Sequence, residues 1–186
     1  TKKIVLVDLD NTLWGGIVGD EGWQNLKLGG HSPIGEAFSD FQKGLKSLTR
    51  RGILLGIISK NEESVALEAI DKNSEMILKR EDFAGWRINW SDKAGNILEL
   101  MEELKLGMQS AVFIDDHPVE RARIRDALPE ILVPEWTNDP MLYKHYLVNL
   151  NCFNTPSISL EDKERTKLYK AEVHRKELKK KLGSLV

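Results

Sequence analysis

Two carboxylates, Asp8 and Asp10, stand at the end of the apolar run Ile4–Val5–Leu6–Val7. Carboxylates this close repel one another unless a cation or a proton lies between them. A hard divalent cation with oxygen ligands is the economical partner, and Mg²⁺ suits a site that also holds phosphate. A second acidic pair, Asp115–Asp116, follows the apolar run Ala111–Val112–Phe113–Ile114. Ser59–Lys60–Asn61 closes a third run, Ile53–Ile58. Lys93 opens a helical stretch, where its charge opposes the macrodipole and points to an anionic partner. These residue types are what phosphoryl transfer needs, since that chemistry depends chiefly on positioning and charge neutralisation.

Short apolar, β-branched runs read as strands buried on both faces of a parallel sheet. Such sheets bind ligands beyond the carboxyl ends of their strands, where the polar residues fall. Between the runs lie helical patterns. Ser32 is a good N-cap with Pro33 at the first helical position, and Ile34, Phe38, Phe41, Leu45 and Leu48 form the inner face of a helix that Gly52 ends. Glu62–Asp71 is a second helix. Met76–Leu78 reads as a short strand or extended segment, and alternation of Trp86, Ile88 and Trp90 predicts another short strand. Ser91 or Asp92 caps a helix that carries Lys93 in its first turn and Ile97, Leu98, Leu100, Met101 and Leu104 inside. His117–Pro118 is a turn leading to a helix through Ala127; Ile131–Val133 is a further strand closed by Pro134; Met141–Leu150 is helical. Residues 151–159 connect to a long polar helix, Glu161–Leu182, within a basic segment spanning 160–186. The Gly-rich stretch within 14–32 predicts a hairpin-like flap beside the site, with Trp14 and Trp23 packing at its base. Strands alternating with helices predict an α/β fold, a doubly wound and mainly parallel sheet, in a single domain over 1–186.

A net charge of −2 over 186 residues argues against a general nucleic-acid binder. No apolar segment reaches membrane-spanning length, and no signal-peptide pattern opens the chain. The chain begins at Thr1, almost directly before the first strand, as an excised domain would. Cys152 is the single cysteine, which rules out an internal disulfide and suits a reducing cytoplasm; it reads as a small buried hydrophobe.

The run Asp8-Leu-Asp-Asn-Thr-Leu resembles the first motif of the haloacid-dehalogenase-like superfamily, and Ser59, Lys93 and Asp115–Asp116 fall in the order of its second, third and fourth motifs. The resemblance implies Asp8 as nucleophile and Asp10 as general acid and base. It implies Mg²⁺ held by Asp8, the Asp10 backbone carbonyl, Asp115 and Asp116. It further implies that Ser59 and Lys93 meet the phosphoryl group, with Thr12, Lys60 and Asn61 as neighbouring substrate contacts. The gaps between the motifs hold no separate cap domain, so the site should be open to a large or tethered acceptor.

A longer pattern is more specific. Asp8 through Gly19, Arg51-Gly-Ile-Leu-Leu, Ser59-Lys-Asn, Asn89-Trp-Ser-Asp-Lys and Ile114-Asp-Asp-His-Pro-Val-Glu-Arg closely resemble the FkbH-like family, whose members accompany polyketide synthases. That resemblance implies dephosphorylation of a phosphorylated three-carbon substrate, 1,3-bisphosphoglycerate. It also implies transfer of the glyceryl unit to the phosphopantetheine thiol of an acyl carrier protein. The family commonly has Cys before the second-motif serine and Asn in the fourth; here those positions are Ile58 and His117. Isoleucine cannot form a thioester. The alternatives are therefore a plain phosphatase of the same fold, or a non-catalytic module that docks a carrier protein in a larger synthase. Lys163, Arg165, Lys167, Lys170, Arg175, Lys176, Lys179, Lys180 and Lys181 would offer such a module a basic surface.

Overall fold

The computed structural model describes residues 1–153 and 160–183, with side chains described to 153 and again from 167. Four strands, β1 (Ile4–Val7), β2 (Leu54–Ser59), β3 (Gly85–Ile88) and β4 (Ala111–Ile114), form one sheet in the order β3-β2-β1-β4. Every pairing is parallel, with Val7 opposite both Ile57 and Ile114. The chain therefore steps outward from β1 through β2 to β3, then returns to the other side of β1. The reversal between β1 and β4 is the place where doubly wound sheets open a crevice.

The strands are continuous apolar runs because both faces are covered. On one face Val5, Val7, Leu55, Ile57, Val112 and Ile114 pack against helices α1 (Val18–Glu21), α2 (Pro33–Arg50), α3 (Glu63–Lys72) and α6 (Tyr143–Val148). On the other, Ile4, Leu6, Leu54, Ile58 and Phe113 meet α4 (Lys93–Glu103) and α5 (Pro118–Ala127) through Ile97, Leu100, Met101 and Ile124. Ser32 caps α2, its Oγ accepting from the Gly35 N–H at 3.0 Å. Helix α7 (Leu160–Gly183) lies beside β3, where Lys176 pairs with Glu103 and Glu177 with Arg80. It shields a strand edge that would otherwise stay open.

Several expectations need correction. Ile131–Val133 is not a strand: Leu132 makes one parallel bridge with Val112, and the chain then leaves at Pro134. Of the two forms expected for Met76–Leu78 the extended segment is the one found, outside the sheet, because Oε1 of the buried Gln42 takes the Ile77 and Leu78 N–H groups at 3.0 and 3.1 Å. The helix expected over Met141–Leu150 is a 3₁₀ turn, Pro140–Leu142, followed by α6. Ile34 and Leu98 are exposed, and Trp90 lies beyond β3 with 69% of its surface exposed. The flap is no regular hairpin: one antiparallel bridge, Gly15 to Lys27, closes a loop holding α1 and a 3₁₀ turn, Trp23–Asn25. Gly16 allows this at φ +104°, since a Cβ there would meet the Glu21 carboxylate. Residues 154–159 of the expected connector lie outside the described residues, as do the side chains of Lys163 and Arg165.

Candidate active site

Asp8 follows β1 and Asp115 follows β4, so the register of the two strands sets both carboxylates at the same end of the sheet. The Asp8 N–H donates to the Ile114 carbonyl at 3.1 Å. Asp116 completes the group: Asp8, Asp115 and Asp116 each offer one oxygen within 4.8 Å of the others. Lys93, first residue of α4, reaches in from the other side of the crevice. Its Nζ lies 2.6 Å from Asp115 Oδ2 and 3.4 Å from Asp8 Oδ1, with the lysine almost fully buried. The side chains singled out at the ends of β1 and β4 and at the start of α4 thus meet at one point.

The electrostatics are those of a site built for one more positive charge. Burial pushes the Asp8 carboxyl well above its usual range; Lys93 pulls it down, and Asp115 and Asp116 push it up again. Asp116 is raised too, by burial and by Asp115. Burial alone would lower Lys93, but Asp8 and Asp115 outweigh it and hold the ammonium charged. The donors are all carboxylate oxygens, which suit a hard divalent cation and would lose their mutual repulsion to it.

Asp10 lines the crevice under tight control. Its Oδ1 accepts from Trp14 Nε1 at 2.9 Å and from the Val18 N–H at 3.0 Å, and its Oδ2 accepts from Asn61 Nδ2 at 3.0 Å. Trp14 therefore does more than pack. Its ring is fully buried, and its indole N–H orients a carboxylate four residues earlier.

Thr12 and Ser59 do not line the cavity. Thr12 is fully buried behind Asp116, donating to Asp116 Oδ1 at 3.1 Å and accepting from the Asp116 N–H at 3.3 Å. Ser59 is buried and accepts from Asn61 Nδ2 at 3.1 Å, so it reaches Asp10 through that amide. Lys60 and Asn61 do line the cavity, and Lys60 Nζ lies 3.3 Å from Glu120 Oε1. His117 caps α5 as a turn residue, its Nδ1 accepting from the Val119 N–H at 3.2 Å.

Two residues to which the sequence analysis gave no role hold the loops. Arg121 Nη1 donates to the carbonyls of Asp115 and Asp116 at 3.0 and 2.9 Å. The Tyr143 hydroxyl donates to the Asn11 carbonyl at 2.8 Å, fixing a turn in which Asn11 takes the uncommon φ of +58°. Burial, with help from Asp116 and Asp8, raises the Tyr143 phenol and keeps it a donor.

Thiol chemistry is far away. The Cys152 carbonyl accepts from the Lys2 N–H at 3.0 Å, at the opposite end of β1 from Asp8. At about 3.3 Å per strand residue the separation is on the order of 20 Å. Ile58 is fully buried in the core between the sheet, α4 and α5.

The chain resembles the N-terminal part of protein BF1531 from Bacteroides fragilis, which contains a phosphatase domain and is complexed with Mg. Identity is 46%, the TM-score is 0.82, and the match covers 84% of this chain but 42% of that one. The chain therefore spans less than half of that protein's length. A protein from Corynebacterium glutamicum shares the fold at 12% identity and TM-score 0.52, over 84% of this chain and 98% of its own. The 3-deoxy-D-manno-octulosonate 8-phosphate phosphatase of Moraxella catarrhalis gives 20% identity and TM-score 0.45, over 67% and 63%. No protein-family model matches the chain, and no curated protein does. The parallel sheet, the order of the motifs along it and the likeness to a phosphatase domain support the resemblance of the chain to the haloacid-dehalogenase-like superfamily.

Proposed function

We propose that this domain hydrolyses phosphomonoesters with Mg²⁺ bound at Asp8, Asp115, Asp116 and the Asp10 backbone carbonyl. The observation that carries the reading is the meeting of three carboxylates and the Lys93 ammonium at the switch point of the sheet. The bound cation would shield Asp8 from the negative charge of its substrate. An Asp8 oxygen attacks phosphorus, and the bond to the leaving oxygen breaks. Asp10, oriented by Trp14, Val18 and Asn61, gives that oxygen its proton. Lys93 neutralises the transferred group as a point charge. Asp10 then takes a proton from water, whose oxygen attacks phosphorus and releases phosphate from Asp8. Thr12 acts as a positioning residue for Asp116, and Ser59 for Asn61.

The glyceryl transfer implied by the FkbH-like resemblance calls for a thiol at the site if it runs through an enzyme thioester. Ile58 supplies none, and Cys152 sits at the other end of β1. Hydrolysis is accordingly the reading carried forward. Exposed lysines of α7, including Lys179 and Lys180, support an acidic partner such as a carrier protein. Their field would act on encounter rather than on chemistry.

The test is Mg²⁺-dependent release of phosphate from p-nitrophenyl phosphate. Asp8→Asn, nearly the same shape, should lower it by about three orders of magnitude or more while the thermal transition persists. Turnover retained in the variant would remove Asp8 from this role.

A further inference from the structure

The crevice is a cavity of about 520 Å³ with the carboxylate cluster in its lining, and its outer wall has a character of its own. The reading of that wall rests on the phosphatase assignment, because it concerns what the transferred phosphoryl group leaves behind. With Asp8 and Lys93 at the inner end, the leaving alcohol must project toward the mouth. The mouth is lined by Ile17 and Asp20 of the flap, Lys60 and Glu62 after β2, Trp90 after β3, and Glu120 of α5.

Beyond the inner cluster the charged groups of this wall are three carboxylates and one ammonium. The ammonium is committed, since Lys60 Nζ lies 3.3 Å from Glu120 Oε1. Glu120 remains short of donors: its Oε2 is buried with no hydrogen-bond partner among the described residues. A second phosphate or a carboxylate on the substrate would therefore meet three carboxylates against a single ammonium that is already paired.

Trp90 supplies the complementary feature. It is a large ring left 69% exposed at the mouth of the crevice. The loop that carries it is pinned: Asn89 Oδ1 accepts from the Ser91 N–H at 3.0 Å and from Asn96 Nδ2 at 2.7 Å. An aromatic face beside carboxylates attracts a cation and repels an anion.

We propose that the site takes phosphomonoesters whose alcohol carries an ammonium group, ahead of neutral ones, and both ahead of those bearing a second anion. Glu62, Asp20, Glu120 and Trp90 set that preference.

Glucosamine 6-phosphate, glucose 6-phosphate and 6-phosphogluconate present the three charges on one scaffold. With the intact chain and Mg²⁺ at neutral pH, kcat/KM should fall in that order, by about tenfold or more from first to last. Calorimetric titration of Asp8→Asn, which cannot turn the esters over, should give the same order of Kd. Asp20→Asn combined with Glu62→Lys should erase or reverse it, and Trp90→Ala should raise KM most for the ammonium ester. Equal or better handling of 6-phosphogluconate by the intact chain overturns the proposal, as does an order that the double variant leaves unchanged. Hydrolysis of p-nitrophenyl phosphate separates the two levels. If it proceeds without charge discrimination, only the substrate class falls; if no ester is hydrolysed, the phosphatase reading falls with it.

Discussion

The behaviour of Asp116 turns on Thr12. A hydroxyl that both donates to the Asp116 carboxylate and accepts its N–H fixes the residue through side chain and backbone. Thr12→Val keeps the volume and deletes both bonds inside a fully buried pocket. We expect Mg²⁺ affinity, measured by calorimetry, to fall about 10–100-fold, the usual effect of removing a group that orients a ligand. Unchanged affinity would mean that Thr12 is only a packing residue. At this scale the sequence revealed the residues that end apolar runs, Asp8, Asp10, Asp115 and Asp116, and also Lys93 at a helix start. It did not reveal Tyr143 or Arg121. Both act on backbone carbonyls: Arg121 fell inside the Ile114–Arg121 pattern without a role to mark it, and Tyr143 works 132 positions from Asn11, where no spacing points to it. Trp14 was legible as packing, but its indole donor needed the turn that brings Asp10 back beneath it.

Among the elements, α2 does the most to hold the crevice from behind. It carries Gln42, whose Nε2 donates to the Leu13 carbonyl at 2.8 Å, and Phe38 and Phe41, whose rings meet Tyr143 edge-on at 5.5 and 5.6 Å. Its start depends on the Ser32 cap. Ser32→Ala should lower the unfolding free energy by about 1 kcal/mol, read by urea denaturation, with little change in kcat. A loss in kcat without a loss of stability would place the cap in the site itself. The helices from α2 to α5 were readable because their apolar periods and caps are local. Ile131–Val133 misled because strand pairing is decided by the partner: only Leu132 stays alongside β4 before Pro134 leads away. Met76–Leu78 was legible as strand or extended segment, and only the structure decides between them: its backbone donors are satisfied by a side chain from α2 rather than by a neighbouring strand.

For the whole molecule, the parallel sheet explains why groups from three distant segments converge. Its order leaves the β1–β4 crevice as the shared end of two strands, and α4 points Lys93 into it. Bringing acidic groups together there opposes folding until a cation arrives, so metal and stability are linked. At about 100 times its dissociation constant, Mg²⁺ should add roughly 2.7 kcal/mol to the unfolding free energy. Thermal denaturation with and without chelator measures this, and Asp115→Asn should remove most of the shift. A transition that ignores Mg²⁺ would separate the carboxylate cluster from metal binding.

The central claim is that Asp8 itself carries the phosphoryl group during turnover. Acid-quenched single turnover with p-nitrophenyl phosphate and Mg²⁺, followed by peptide mass spectrometry, tests it most directly. A phosphoryl group on the peptide containing Asp8, absent in Asp8→Asn and absent without metal, is the predicted result. Phosphate released with no label at Asp8 at any time before completion, or label on another residue, would contradict the account.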